Sequence, residues 1–258
     1  MKPEDSAPLL TVEHVSMCYH TPLGETAALS DISFQVKRGG FLAIVGPSGC
    51  GKSTILSLIS GLMKPTAGQI HLAKSYSPQP IGYMLQHDHL FPWRTVWDNV
   101  CLGLELQNRL TSERKVHLMD LLEQYGLGEF SQRFPRHLSG GMRQRAALIR
   151  TLAMDPELLL LDEPFSALDY QTRIHVADDI AGIIRSQGKT AILVTHDISE
   201  AISLADEVLV LTRRPGRVRS LVPILLDDDD QQVMHRRQNP GFGAYFDRIW
   251  KEMNADDE

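Results

Sequence analysis

The amino-acid sequence predicts an α/β fold built on a largely parallel β-sheet. Two short apolar runs, at 41–45 and 158–161, have the composition of strands that are buried on both faces. Segments of helical periodicity separate these runs from further strand candidates, and such alternation is typical of a parallel sheet covered by helices. With 43% hydrophobic and 22% charged residues, the 258-residue chain can form a substantial core.

The strand candidates are short segments of alternating or continuous apolar residues bounded by turn-forming residues. The segment 29–36 shows the alternation most clearly, and the turn 37–40 then leads into the first buried run. In chain order, the strand candidates are 10–19, 29–36, 41–45, 69–72, 81–85, 158–161, 190–194 and 207–211.

The helix candidates carry apolar residues at spacings of three and four. Gly61 and Pro65 close the first of them. The region 91–136 has helical periodicity and no strong strand signal, which predicts a helical insertion between strands. The remaining helix candidates follow it along the chain. In chain order, the helix candidates outside the insertion are 52–62, 140–154, 171–187 and 198–205.

Charge and composition exclude several classes of protein. The net charge of −6 weighs against a nucleic-acid partner, because such proteins usually present a basic surface. The three cysteines lack metal-binding spacing, which indicates reduced thiols. The start of the chain lacks the apolar core of a signal peptide, and no apolar run approaches the roughly 18–20 residues of a membrane helix. We therefore expect a soluble protein whose membrane role, if it has one, depends on a partner.

A glycine-rich loop after the strand 41–45 fits the phosphate-binding pattern G-x-x-x-x-G-K-[ST]. Glycines let consecutive backbone N–H groups face one anion, and the helix that follows adds its positive dipole end. We expect Lys52 to reach the β- and γ-phosphates of ATP and the Ser53 hydroxyl to ligate Mg²⁺. The predicted nucleotide-binding residues of this loop are Gly46, Pro47, Ser48, Gly49, Cys50, Gly51, Lys52, Ser53 and Thr54.

Two carboxylates follow the second buried strand. Asp162 at the strand end can join Ser53 as a Mg²⁺ ligand, and Glu163 is then placed to polarise an attacking water. An acidic pair after an apolar run means little alone, because strand ends are often polar. Together with the phosphate loop it predicts an ATP-hydrolysing site.

A third motif, Leu-Ser-Gly-Gly at 138–141, resembles the signature motif of ABC transporter ATPases. It stands upstream of Asp162 and Glu163 at the spacing usual in that family. The resemblance implies a P-loop NTPase fold with an N-terminal antiparallel β-subdomain. It also implies that Ser139, Gly140 and Gly141 bind phosphate at a helix N-terminus, as their residue types allow.

Further elements resemble those of the family and occur in the same order. Tyr19 resembles the aromatic residue that stacks on adenine, although a core or surface tyrosine is an open alternative. Gln86 resembles the glutamine that contacts Mg²⁺ and the attacking water. Asp169 lies in a stretch that resembles the loop coupling two sites of a dimer, and His196 resembles the switch histidine that contacts the γ-phosphate.

The resemblance implies a head-to-tail homodimer with two ATP molecules at its interface. Ser139, Gly140 and Gly141 of one subunit then close on the γ-phosphate held by Lys52 of the other. Glu163, His196 and Gln86 are the catalytic residues that it implies. It covers 9–225, with a helical subdomain at about 88–145, and leaves 226–258 as a short C-terminal tail. We expect the acidic run 227–230 to be a solvated loop.

Three kinds of ABC protein remain open: the ATPase subunit of a membrane importer, a non-transport ATPase acting on nucleic acid or ribosomes, and a regulatory nucleotide-binding module. The single ATPase domain favours the importer, as do the aromatics Phe91, Trp93 and Trp97, which suit an interface with a membrane permease. For Trp97, a place in the core of the helical insertion is an equal alternative.

Four segments of the sequence resemble the corresponding segments of the nitrate, sulfonate and taurine importer ATPases. The stretches 90–96, 162–173, 212–217 and 245–252 carry this resemblance. It implies a peripheral protein at the cytoplasmic face of the membrane, working with permease subunits and indirectly with an extracytoplasmic solute-binding protein. The ATPase does not touch the solute, so the transported compound stays open.

Overall fold

The computed structural model describes residues 7–22, 24–73, 80–226 and 232–255. Within these ranges the strands form two sheets, and helices cover the larger one. The strands are β1 Pro8–Thr21, β2 Gly24–Lys37, β3 Phe41–Val45, β4 Ala67–Leu72, β5 Ile81–Met84, β6 Leu158–Asp162, β7 Thr190–Val194, β8 Glu207–Leu211 and β9 Val218–Pro223. The helices are α1 Lys52–Ile59, α2 Val96–Leu106, α3 Ser112–Gln124, α4 Gly140–Leu152, α5 Tyr170–Ser186, α6 Ile198–Leu204, α7 Val233–Gln238 and α8 Phe242–Asn254.

The larger sheet has the order β5-β6-β7-β3-β8-β9, and its first five strands are parallel. Every residue of β3, β6 and β7 is buried, as their continuous apolar composition requires. The prediction of a largely parallel sheet is confirmed. Parallel pairing brings the carboxyl ends of these strands to one edge, which is where ligands bind in open α/β sheets.

The smaller sheet is antiparallel, with the order β2-β1-β4, and confirms the expected N-terminal β-subdomain. Its apolar face shares a core with β3 and α1: Leu10 and Leu29 pack in the same cluster as Ile44 and Leu56. This packing fixes the sheet against the loop that joins β3 to α1. It thereby places Tyr19, near the end of β1, beside that loop.

The region 91–136 is helical, as predicted from its periodicity. It contains α2, α3 and two short 3₁₀ helices at Gly128–Phe130 and Pro135–His137. A capping box starts α2, because the Thr95 hydroxyl accepts the backbone N–H of Asp98 while the Asp98 carboxylate accepts that of Thr95. Trp97 packs against the main core, so the structure favours the core alternative for this residue.

The end of the chain contains elements that the sequence patterns did not predict. Strand β9 pairs antiparallel with β8, and α7 and α8 pack near α6 on the body of the protein. The helix predicted at 52–62 is shorter than expected, because Gly61 has a φ of +74° that interrupts helical geometry. The acidic run 227–230 lies outside the described residues. No helix in the described ranges is long and apolar enough to cross a membrane.

Helix α8 packs on the body of the protein through one fully buried side chain, Ile249, and its substitution tests this packing. Ile249 is fully buried, whereas Lys251 on the same helix is exposed. We expect Ile249→Ala to lower the free energy of unfolding by about 2–4 kcal/mol, because it leaves a cavity. The matched control Lys251→Ala should change it by about 0.5 kcal/mol or less. Urea unfolding measures both, and equal effects would contradict the docking of α8.

Candidate functional site

A cleft of about 690 Å³ opens at the carboxyl edge of the parallel sheet. It is bordered by the loop between β3 and α1, by the ends of β6 and β7, and by the end of the antiparallel hairpin. The structure therefore brings together residues that are far apart in the sequence. The lining residues are Tyr19, Ala28, Ser48, Gly49, Gly51, Lys52, Ser53, Thr54, Glu163, His196 and Arg214.

The glycine-rich loop curls in the way that phosphate binding requires. Gly51 has a φ of +104°, a backbone conformation that favours glycine, and a Cβ atom there would also lie 2.5 Å from Leu29 Cδ2. Lys52 is buried, and its ammonium group donates to the carbonyl oxygens of Gly46 at 2.8 Å and Pro47 at 3.2 Å. These bonds hold the cation over the loop, where it can meet the phosphates of a nucleotide.

Two oxygen ligands lie next to each other here: Ser53, which lines the cleft, and Asp162, the buried residue at the end of β6 that contacts it. The Ser53 hydroxyl donates to Asp162 Oδ1 at 3.0 Å, and Tyr83 donates to Asp162 Oδ2 at 3.4 Å. Burial raises the pKa of Asp162, and burial together with the nearby Asp162 raises the pKa of Tyr83 to about 12. A buried carboxylate beside a hydroxyl fits Mg²⁺, which prefers oxygen ligands and would offset the unfavourable burial of the charge.

Glu163 and His196 are neighbours in the cleft: Glu163 directly follows β6, and His196 lies two residues after the end of β7. Glu163 has a φ of +45°, and its backbone N–H donates to Val194 O at 2.9 Å. A positive φ is unusual for glutamate and turns the chain sharply at the strand end. His196 Nδ1 lies 3.1 Å from Glu163 Oε2, so the two side chains form one polar unit at the mouth of the cleft.

Tyr19 lines the cleft from the antiparallel hairpin of β1 and β2. Its hydroxyl lies 3.2 Å from Thr54 Oγ1 and also reaches Met63 Sδ at 3.8 Å. The side chain is half-buried. The tyrosine therefore joins the antiparallel sheet to the phosphate loop while one part of it remains available to the cleft.

The other predicted site residues do not line this cleft within the described ranges. Ser139 is exposed and caps α4, accepting the backbone N–H of Met142 at 3.3 Å. Asp169 is exposed and caps α5 through Thr172. Gln86 follows β5 and donates to Ser166 Oγ at 3.4 Å. Gly140 and Gly141 begin α4, and Val176 Cγ2 would lie 2.8 Å from a Cβ on Gly141.

Two cleft residues were absent from the sequence-based prediction. Ala28 offers no chemical signal, because small residues on strands are common. Arg214 belongs to the stretch 212–217. The sequence of this stretch carried part of the family resemblance, but it did not indicate that Arg214 lines the cleft. Tyr83, which donates to Asp162, was also missed, since a strand tyrosine has no distinctive sequence signal.

Comparisons with known proteins decide the family. A model described as ABC transporter matches residues 29–166, more than half of the chain. The chain belongs to the ABC transporter family. The ABC protein YtlC of Bacillus subtilis, described as an uncharacterized ABC transporter ATP-binding protein, is 44% identical over 95% of this chain and 96% of its own length.

Importer ATPases are also similar to this ABC protein. The taurine import ATP-binding protein TauB of Yersinia pestis is 46% identical over 74% of this chain and 76% of its own length. The aliphatic sulfonates import ATP-binding protein SsuB of Bacillus licheniformis is 38% identical over 90% and 89%.

A solved structure agrees with the family assignment. The ATP-binding cassette MJ0796, a dimer in a post-hydrolysis state bound to ADP and phosphate, superposes with a TM-score of 0.69. It is 29% identical, and the match covers 84% of this chain and 99% of MJ0796. The predictions that this protein is an ABC ATPase, that it binds ATP and that its hydrolysis is coupled to transport are confirmed.

The backbone next to His196 is held by a hydrogen bond to the buried Glu200. The Thr195 hydroxyl donates to Glu200 Oε2 at 2.7 Å and accepts the backbone N–H of Asp197 at 3.0 Å. Burial raises the pKa of Glu200, an effect that the Thr195 bond and Arg173, 3.7 Å away, only partly offset. Glu200 therefore holds the backbone around His196 at the cost of burying a charge.

This burial predicts a pH-dependent effect of Glu200→Gln on stability. Because the folded-state pKa is raised, the cost of the charge is absent below the ordinary pKa near 4.5 and fully present above the folded pKa. Gln keeps an oxygen for the Thr195 hydroxyl without the charge. We expect the variant to gain melting temperature relative to the unmodified protein as pH rises from about 4.5, levelling off above the folded pKa.

Thermal melts from about pH 4 to 8 measure this difference. Glu113→Gln, which removes an exposed carboxylate, should show no such rise. A difference for Glu200→Gln that is flat with pH, or that falls as pH rises, would contradict the assigned cost of burial.

Proposed function

We propose that this ABC protein is the ATPase subunit of a membrane importer for taurine, a sulfonate, nitrate or a related small solute. The observation that carries the catalytic part is the cleft, where the phosphate loop meets Asp162, Glu163 and His196. The importer part is supported by the similarity to TauB and SsuB.

Within the cleft, each residue type suits one part of phosphoryl transfer. The loop N–H groups and Lys52 hold the triphosphate, and Tyr19 supports the adenine. Ser53 and Asp162, with Gln86 moving in from β5, would hold Mg²⁺, which neutralises phosphate charge when bound. Glu163 orients or deprotonates the attacking water, and His196, held at 3.1 Å from it, contacts the γ-phosphate. Catalysis then consists mainly of positioning and charge stabilisation.

A second copy of the chain would complete the site. Ser139, Gly140 and Gly141 start a helix whose N-terminus is partly exposed and lies apart from the cleft of the same chain. Helix N-termini bind phosphate well, so this one suits the γ-phosphate of a partner's nucleotide. Asp169, exposed at the start of α5, suits the coupling of the two sites. The dimer of MJ0796 supports this arrangement.

An aromatic pair on the helical region supports docking to a permease. Trp93 is 70% exposed and its ring packs 5.1 Å from that of Phe91, which is 37% exposed. Large exposed aromatics are enriched in protein interfaces. The segment just before this pair is also joined to the signature helix, which is α4 with the signature motif at its start, because Arg143 Nε donates to Asp88 Oδ2 at 3.0 Å. A permease held here would place the chain at the cytoplasmic face of the membrane, with a solute-binding protein acting on the other side.

Replacing Glu163 separates nucleotide binding from hydrolysis. Glu163→Gln keeps the size of the side chain but cannot act as a base, so we expect ATP to bind while turnover falls by about 10²-fold or more. The trapped nucleotide should make the variant dimerise when ATP is added. Phosphate release and size-exclusion chromatography measure the two effects, with Glu113→Gln as an exposed control. Turnover close to that of the unmodified protein would sink the assigned role of Glu163.

Removing the aromatic pair tests the proposed permease interface. We expect the double substitution Phe91→Ala and Trp93→Ala to abolish copurification with a multi-span membrane protein from detergent-solubilised membranes of the native host. The ATPase rate of the isolated chain should stay unchanged, because neither residue lines the cleft. Trp250→Ala, which removes an exposed tryptophan on α8, serves as control.

Mass spectrometry of the captured proteins decides between the classes of ABC protein. Retention of the permease by the double variant would overturn the interface, and capture of ribosomes or nucleic acid at physiological salt would overturn the importer.

A further inference from the structure

Arg214 contributes a second fixed positive charge to the nucleotide cleft, besides Lys52. It lies in the segment 212–217 that follows β8, and its side chain lines the cleft together with Tyr19 and Ala28. Neither the phosphate-loop pattern nor the signature motif includes this residue. Its position therefore raises the question of which part of the nucleotide it contacts.

The segment around Arg214 is attached to the wall of the cleft by backbone bonds. Gly216 N–H donates to Ala28 O at 2.9 Å, and Ser30 N–H donates to Gly216 O at 2.9 Å. A Cβ atom on Gly216 would lie 2.1 Å from the carbonyl oxygen of Cys50, so the segment is in close contact with the phosphate loop. Arg214 therefore stands on backbone that is held to both β2 and the loop.

The guanidinium lies on the wall that leads from the phosphate loop towards the end of the hairpin. Arg214 Nε donates to Ala27 O at 3.3 Å, and Ala27 is paired in the sheet with Cys18, the neighbour of Tyr19. Lys52, by contrast, is held over the carbonyl groups of Gly46 and Pro47. The two cations thus occupy different parts of the cleft.

This division matches the charge distribution of a nucleotide. The phosphate-loop lysine reaches the β- and γ-phosphates, which leaves the α-phosphate, next to the ribose, without a charged side chain. Arginine presents a planar set of donors that matches phosphate oxygens, and a single bond to Ala27 O uses only one of its five N–H groups.

We propose that Arg214 binds the α-phosphate of ATP and of ADP and so positions the nucleotide between Tyr19 and the phosphate loop. This assignment rests on the proposed nucleotide site. It predicts a contact that is made by diphosphate and triphosphate alike and that does not depend on the base.

Displacement of a fluorescent ATP analogue from the full-length protein tests the assignment with ATP, ADP and GTP as competitors. We expect Arg214→Ala to weaken all three by a similar factor, about three- to tenfold for a charge-assisted contact that is partly exposed. Arg214→Lys should recover part of the loss, and the difference from the unmodified protein should shrink at high salt. Arg217→Ala, an exposed arginine of the same segment, is the matched control and should change affinity less than about twofold.

The outcomes separate the assignment from the site on which it rests. Unchanged affinity in Arg214→Ala, or an altered ratio of ATP to GTP affinity that indicates a base contact, overturns the α-phosphate assignment. A loss of equal size in Arg217→Ala also overturns it. Lys52→Ala is measured alongside: if it too keeps its affinity, the proposed phosphate site fails, whereas a loss in Lys52→Ala alone overturns only the role of Arg214. Melting temperatures without nucleotide show whether each variant is folded.

Discussion

The parallel register of β3, β6 and β7 is the constraint on which the proposed catalytic site depends. In this register Ile44 and Asp162 both lie opposite Val194, so the three strands end at the same level. Whatever follows each strand must then lie at one edge of the sheet: the phosphate loop after β3, Glu163 after β6 and His196 after β7. Complete burial of these strands opposes a slip of register. A shift of one strand along its neighbours would move apolar side chains out of the core or pull the polar residues that follow the strand into it.

Three charged residues near this edge, Lys52, Asp162 and Glu200, are buried and depend on hydrogen bonds from the surrounding protein. Lys52 is satisfied by carbonyl groups of its own loop, Asp162 by Ser53 and Tyr83, and Glu200 by Thr195. Burial raises the pKa of Asp162 and of Glu200, because their surroundings disfavour the negative charge. Such an arrangement is expected of a site whose cation and anion partners arrive with the substrate.

The signature helix, α4, does not contribute its N-terminal residues to the cleft of its own chain. Its N-terminus is capped by its own Ser139, while Arg143 and Arg150 tie the helix to the segment after Gln86. A movement of that segment would therefore be transmitted to the helix through these bonds. These bonds join α4 to the segment after Gln86, which continues to the surface that bears Phe91 and Trp93.

The sequence by itself determined the elements whose residues carry their own signal. Continuous apolar runs identified β3 and β6, and the spacing of glycines with Lys52 identified the phosphate loop, because these patterns follow from burial and backbone geometry alone. Strand β9 escaped prediction because it has little apolar alternation of its own and exists through pairing with β8. Helix α8 was missed although its core-facing residues, Phe242, Phe246, Ile249 and Met253, have helical spacing, so here the local pattern was present and was not used. Only the tertiary structure decided that Trp97 belongs to the core and that Arg214 reaches the cleft, because each contact joins segments distant in sequence, and no local pattern encodes which distant surface a side chain will meet.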